Sequence, residues 1–145
     1  NVRQGHSIGA SLAEPGRPVV AVAGDGCFMM HGQEFATAVR YKLPIITVVV
    51  NNGIYGTIRM HQEREYPGRV SATDLTNPDF AALARAYGGH GEVVTRQQDF
   101  APAFARAQAA GTLAVLELRL DPEALSTGAT LAETRAAGEA AQARA

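Results

Sequence analysis

A single cysteine, Cys27, excludes an internal disulfide in this 145-residue chain and fits a reducing, cytoplasmic setting. Charge of one sign is equally scarce. Thirteen basic and 14 acidic side chains leave a formal net charge of −1, with no Lys/Arg cluster beyond what a solvated face carries. Nucleic acid and anionic membrane are therefore poor partners. The longest apolar run, Pro44 to Val50, is far too short to cross a bilayer, and no signal-peptide pattern opens the chain. Hydrophobicity itself is not lacking: 46% hydrophobic against 19% charged residues describes a globular chain, long enough for one domain with a proper core. Asn1 is not an initiator, and "QGHSIGASLA" already reads as the middle of a helix, so a piece of a longer polypeptide is expected.

Along the chain, residues 4–13 read as a small-residue helix closed by the turn Glu14-Pro15-Gly16. "PVVAVAG" is a β-branched run without polar alternation, which predicts a strand buried on both faces. "GQEFATAVRYK" has helical spacing, with apolar residues at 35, 36, 38, 39 and 43. "PIITVVVNN" predicts a second buried strand and "NNGIYG" a loop. The polar helix-like stretch "TIRMHQEREY" ends at Pro67-Gly68. Asn77-Pro78 reads as the cap and first position of a helix "PDFAALARAYG", stopped by Gly88 and Gly89. "GEVVT", "DFAPAFARAQAAG" and "LAVLELRL" follow as strand, helix and strand, and the Ala-rich tail 122–145 as a surface helix or a partly disordered segment. Alternating strands and helices predict one α/β domain, a doubly wound and mainly parallel sheet with helices on both faces.

In such a fold the strand ends open onto one edge, where ligands bind. Gly24-Asp25-Gly26 ends the first strand and Asn51-Asn52-Gly53 the second. Neighbouring strands lie about 4.8 Å apart, which would make Asp25 and Asn52 a pair of oxygen donors on one rim. Carboxylate and amide oxygens suit a hard cation such as Mg²⁺, which shares its remaining positions with phosphate and water. Gly26 lets backbone N–H groups approach a phosphate at a helix start, and Gly53 and Gly56 permit a tight second loop. The alternative is that Asp-Gly and Asn-Asn-Gly are simply turns.

"GDG" followed after 24 residues by "NN" resembles the thiamine-diphosphate signature. The flanking "GDGCFMMHGQEFATAVRYKLPIITVVVNNGIYGTIR" is similar to the cofactor-diphosphate domain of the acetolactate-synthase and pyruvate-decarboxylase superfamily, on its acetolactate-synthase-like branch. The likeness continues through "YPGRVSATDLTNPDFAALARAYGGHGE" and "VLELRLDPEALS", nearly the whole chain. The resemblance implies Mg²⁺ on the side chains of Asp25 and Asn52 and the backbone carbonyl of Ile54. It implies cofactor contacts from Gly24, Asp25, Gly26, Cys27, Met30, Asn52, Ile54, Tyr55 and Gly56. Many relatives carry serine where this chain has Cys27. Met30 would lie near the cofactor rings, or else plug the core.

The resemblance also implies a second domain, of the same or a partner subunit in a homodimer or homotetramer, that supplies the glutamate activating the aminopyrimidine ring. Glu34 reads as support for its own helix. The implied activity is decarboxylation of a 2-keto acid, with ligation of the resulting enamine to a second carbonyl. Pyruvate-decarboxylase-like enzymes place a glutamate six residues after the metal asparagine; here that position is Ile58. Acetolactate synthases place a tryptophan before a glutamine; here the pair is His61-Gln62. His61 is thus either a substrate contact or a solvated helix residue, and Tyr66, His31, Arg59 and Arg64 read as surface or interface. A cofactor-binding subunit of a split 2-keto acid decarboxylase and a non-catalytic cofactor-binding module are the alternatives.

Overall fold

In the computed structural model, which describes residues 3–125 and 128–144, seven helices and four strands alternate as far as β4. Residues 1, 2, 126, 127 and 145, parts of the opening segment and of the expected tail, lie outside the described residues. The chain divides into two compact units, residues 1–51 with 77–119, and residues 52–76 with 120–145.

The first unit holds the sheet. Strands β1 (Val19–Gly24), β2 (Ile45–Asn51), β3 (His90–Val94) and β4 (Ala114–Arg119) pair in the order β1-β2-β4-β3, every pair parallel. Side chains alternate across a strand, and β2 fills both faces. Ile45 and Val49 enter one core with Phe28, Phe35, Ala38, Phe80 and Ala84, while Ile46 and Val48 enter the other with Ala103, Ala107 and Leu116. The first core is closed by α1 (Arg3–Ala13), α2 (Asp25–Met29), α3 (Phe35–Arg40) and α5 (Phe80–Ala86), the second by α6 (Gln97–Ala109). The doubly wound parallel sheet with helices on both faces is therefore present.

β1 departs from expectation. Val20 and Val22 remain 46% and 48% exposed. β1 stands at the end of the strand order and α6 packs on β3 and β4, so no described helix of this unit lies over that half of the second face. An apolar run signals capacity for burial, while the layer that delivers burial is a tertiary property.

The second unit holds α4 (Gly56–Glu65) and α7 (Leu131–Gln142), the latter opened by a capping box between Thr130 and Glu133. The two helices touch where Gly138 meets the Arg64 and Glu63 carbonyls; a Cβ there would stand 2.6 and 2.7 Å from them. Glu63, 1% exposed, takes hydrogen bonds from Arg59, from Arg135 of α7 and from the Gly68 N–H. Those donors, the Arg135 guanidinium foremost, lower its pKa to about 2. Arg59 is thus an interior residue of this unit, correcting the expectation of a surface or interface side chain: its side chain is 12% exposed and also reaches Thr73. Among the described residues no helix is long and apolar enough to cross a membrane.

Candidate functional site

β1 ends at Gly24, whose extended backbone hands directly to Asp25, the first residue of α2. The register pairs Gly24 with Val50, so Asp25 and Asn51 are the next positions along the same rim. Asp25 is 3% exposed. Its Oδ1 accepts the Gly26 N–H at 2.9 Å, and its Oδ2 accepts the Asn77 amide at 2.7 Å. The second proton of the same Asn77 Nδ2 goes to Asn51 Oδ1 at 2.9 Å. Asn51 in turn donates to Glu117 Oε1 at 2.9 Å, and Glu117 also accepts the Phe80 N–H and the Arg119 guanidinium. The ends of β1, β2 and β4 are thereby joined by side chains to the loop before α5.

Two phenylalanines hold these loops from below. Phe28 of α2 and Phe80 at the start of α5 are fully buried, with ring centroids 5.2 Å apart and edge to face. Phe28 also packs on Phe35 at 5.0 Å, and a Cβ on Gly32 would lie 2.9 Å from the Phe28 ring. The Asp25 and Asn77 turns therefore rest on one aromatic cluster.

This corrects the sequence reading of Asn77. The cap of α5 is Asp79, whose Oδ1 accepts the Ala82 N–H at 2.7 Å, and the helix begins at Phe80. Asn-Pro-Asp offers two cap residues in three positions. The Phe80 N–H is already taken by Glu117, so the helix starts two residues late and Asn77 turns toward Asp25.

The other expected site residues of the first unit are Cys27, partly buried against the aromatic core, and Met30, 53% exposed and so no core plug. Glu34 ends a 3₁₀ turn and accepts the Thr37 hydroxyl at 3.4 Å, within its own helix start.

In the second unit Asn52 opens a tight loop. Its Oδ1 accepts the Ile54 N–H at 3.3 Å, and Gly53 takes the left-handed φ of 70° that glycine tolerates. Ile54 bridges Asp74, flanked by bonds from the Tyr55 N–H to the Thr73 carbonyl and from the Leu75 N–H to the Gly53 carbonyl. The Ile54 carbonyl accepts the Gly56 N–H at 2.9 Å. A Cβ on Gly56 would sit 3.1 Å from Asn52 Nδ2, so glycine there lets the amide lie against the start of α4. On α4, Ile58 is exposed, and His61 is exposed with its Nδ1 2.7 Å from Arg64. Gln62 uses both ends of its amide on the Ser71 backbone. Tyr66 is exposed beneath the Arg69 guanidinium, and Arg64 meets Glu65.

Asn77, Asn51 and Glu117 are not among the site residues expected from sequence. A carboxylate inside the apolar run "LAVLELRL" was the one available signal: Glu117 falls at a core position and requires partners.

The family described as thiamine pyrophosphate enzyme, C-terminal TPP binding domain, matches residues 4–118. The chain belongs to this family. This thiamine pyrophosphate-binding domain is similar in sequence to acetolactate synthases, among others. It is 38% identical over 118 residues to a probable acetolactate synthase of Mycobacterium bovis, covering 81% of this chain and 22% of that protein. It is 41% identical over 100 residues to a sulfoacetaldehyde acetyltransferase of Castellaniella defragrans, covering 69% and 17%. Among solved structures, the thiamine diphosphate-dependent 4-hydroxybenzoylformate decarboxylase of Rhodococcus jostii superposes with a TM-score of 0.73 at 34% identity, covering 79% of this chain and 22% of that one. The domain thus spans about a fifth of the length of these proteins.

Proposed function

We propose that this domain holds the magnesium-diphosphate end of thiamine diphosphate, with the Asp25 and Asn52 side chains and the Ile54 carbonyl as the protein's ligands to Mg²⁺. The observation that carries the reading is Asp25: a buried carboxylate, each oxygen oriented by an N–H donor, on the strand edge where parallel α/β sheets take ligands. Carboxylate, amide and carbonyl oxygens fit a hard cation that shares its shell with phosphate and water.

Thiamine diphosphate, held here by its diphosphate end, would supply a nucleophilic thiazolium carbon and a cationic ring that serves as electron sink for decarboxylation. The chain's own residues bind and exclude. Gly24 and Gly26 flank Asp25 beside the diphosphate in this reading, Cys27 borders it, and Met30, whose side chain is exposed, would face the rings. Tyr55 and Gly56 shape the loop that offers the Ile54 carbonyl. A pyrimidine-binding domain, of the same or a partner subunit in a cytoplasmic homodimer or homotetramer, completes the site. The substrate is a 2-keto acid, and the reaction ends by joining the decarboxylated unit to a second carbonyl. His61 and Gln62 border that acceptor, His61 as the contacting group because Gln62 is tied to Ser71.

Calorimetric titration of the full-length protein tests the cation site. Asp25→Ala is expected to abolish Mg²⁺-dependent thiamine-diphosphate binding, and unchanged affinity would remove Asp25 from the ligand set. A second outcome, release of free aldehyde, is favoured by the likeness to the Rhodococcus decarboxylase; product analysis separates the two.

A further inference from the structure

Asn77 stands outside the proposed ligand set, yet it makes the contact that fixes the principal ligand. Its Nδ2 divides two protons between Asp25 Oδ2 at 2.7 Å and Asn51 Oδ1 at 2.9 Å. Turning the amide over would aim an oxygen at two oxygens, so its orientation is set by chemistry. The consequence is visible at the other end: Asn77 Oδ1 is sealed from solvent and takes no donor among the described residues. A buried acceptor without a partner carries an uncompensated desolvation penalty. A side chain kept only for packing would not carry that penalty, so the two donated bonds are what Asn77 supplies.

Those bonds act together. With the Gly26 N–H on Oδ1 and Asn77 on Oδ2, the Asp25 carboxylate has a donor on each oxygen and is held against rotation. Asn51 is held at both ends, its Oδ1 by Asn77 and its Nδ2 on Glu117. Of the two consecutive asparagines, Asn51 is therefore the scaffold, held at both ends of its amide, while the Asn52 oxygen takes the Ile54 N–H within its own loop. Phe80, three residues beyond Asn77, anchors the loop through its ring on Phe28 and its N–H on Glu117.

We propose that Asn77 is a positioning residue for the cation site: its amide clamps the Asp25 carboxylate to the end of β2, so that the metal meets an oxygen ligand already oriented. The inference rests on the proposed Mg²⁺ role of Asp25. Partners that orient a metal ligand typically contribute 10–100-fold to metal affinity.

The test uses the full-length enzyme, titrating Mg²⁺ at fixed thiamine diphosphate by calorimetry and measuring the unfolding midpoint of the metal-free protein in parallel. Asn77→Ala is expected to raise the half-saturating Mg²⁺ concentration about 10–100-fold, with turnover returning at high Mg²⁺. A lowered unfolding midpoint with unchanged Mg²⁺ dependence would make Asn77 structural only and overturn the proposal. Asp25→Ala run alongside separates the two layers. If it abolishes Mg²⁺ dependence while Asn77→Ala has no effect, only the positioning role fails; if neither variant changes it, the cation assignment falls and the positioning role with it. A crystal structure of the wild-type holoenzyme with Mg²⁺ needs no variant. Asn77 Nδ2 is expected within hydrogen-bond distance of a metal-ligating Asp25, and an Asn77 turned away from Asp25 overturns the inference even if the variants fail to fold.

Discussion

Two of the three buried carboxylates among the described residues, Glu63 and Asp25, carry different work. Glu63 is structural. It is 1% exposed and satisfied by Arg59, Arg135 and the Gly68 N–H, which bring its pKa from the ordinary 4.5 down to about 2. A folded-state pKa below the unfolded one means the contribution is complete above about pH 4.5 and is lost as the pH falls through about 2. Glu63→Gln removes the charge and hence that slope. The stability gap between wild type and Glu63→Gln, from urea unfolding at stepped pH, is expected to be about 3 kcal/mol near neutrality and to close between pH 4.5 and 2. A gap that stays constant across that range contradicts the role given to the arginines. Asp25 is also buried, but it sits on the ligand edge of the sheet, and its described partners are a backbone N–H and an amide rather than a guanidinium. The motif "GDG" pointed to it directly. Nothing local pointed to Asn77, since Asn before Pro-Asp reads equally well as a cap; only the occupation of the Phe80 N–H by Glu117, 37 residues away, decides otherwise.

Among the elements, helix existence follows from apolar spacing and from turn residues, and the expected helices and strands all occur within a few residues of where the sequence places them. Interlayer distance does not follow in the same way. Gly91 of β3 is a case where backbone meets backbone: a Cβ there would collide with the Ala81 carbonyl of α5, and on Gly89 it would lie 2.6 Å from the Leu113 oxygen. Gly9, on α1, has nothing within 4 Å. Gly91→Ala is therefore expected to destabilise by about 3 kcal/mol, at the upper end for overpacking. Gly9→Ala should leave stability unchanged or raise it by about 0.5–1 kcal/mol through better helix propensity. Thermal unfolding of both variants checks the pair, and equal effects would mean that α5 does not rest on the β3 backbone. The β1 prediction missed for a related reason. Val20 and Val22 have the right character for a core, but α6 lies over β3 and β4.

At the scale of the whole molecule, the proposed 2-keto acid chemistry gives the decarboxylated unit two fates. Proton donation by a placed acid favours aldehyde release. The position where pyruvate-decarboxylase-like enzymes keep a glutamate is here Ile58, an exposed aliphatic side chain that carries no proton to give. Ligation to an acceptor carbonyl is therefore expected to dominate. Product analysis of the full-length enzyme with pyruvate and a panel of aldehyde and keto-acid acceptors provides the measurement, and free aldehyde prevailing at high acceptor concentration refutes it. His61→Ala should shift acceptor preference while leaving cofactor affinity intact.

The sequence by itself determined the alternation of strands and helices, the rim position of Asp25 and membership in the thiamine-diphosphate superfamily. Each of these is written in short-range periodicity or in a contiguous motif. Which residue caps α5, which apolar faces are covered, which glycines touch backbone, and the chain of amides and carboxylates from Asp25 through Asn77 and Asn51 to Glu117 were decided only in three dimensions. Their partners are separated by tens of residues and meet only because parallel strands bring their carboxyl ends to one edge. Hydrogen-bond satisfaction in a dry interior is a condition on neighbours in space, and no local pattern encodes it.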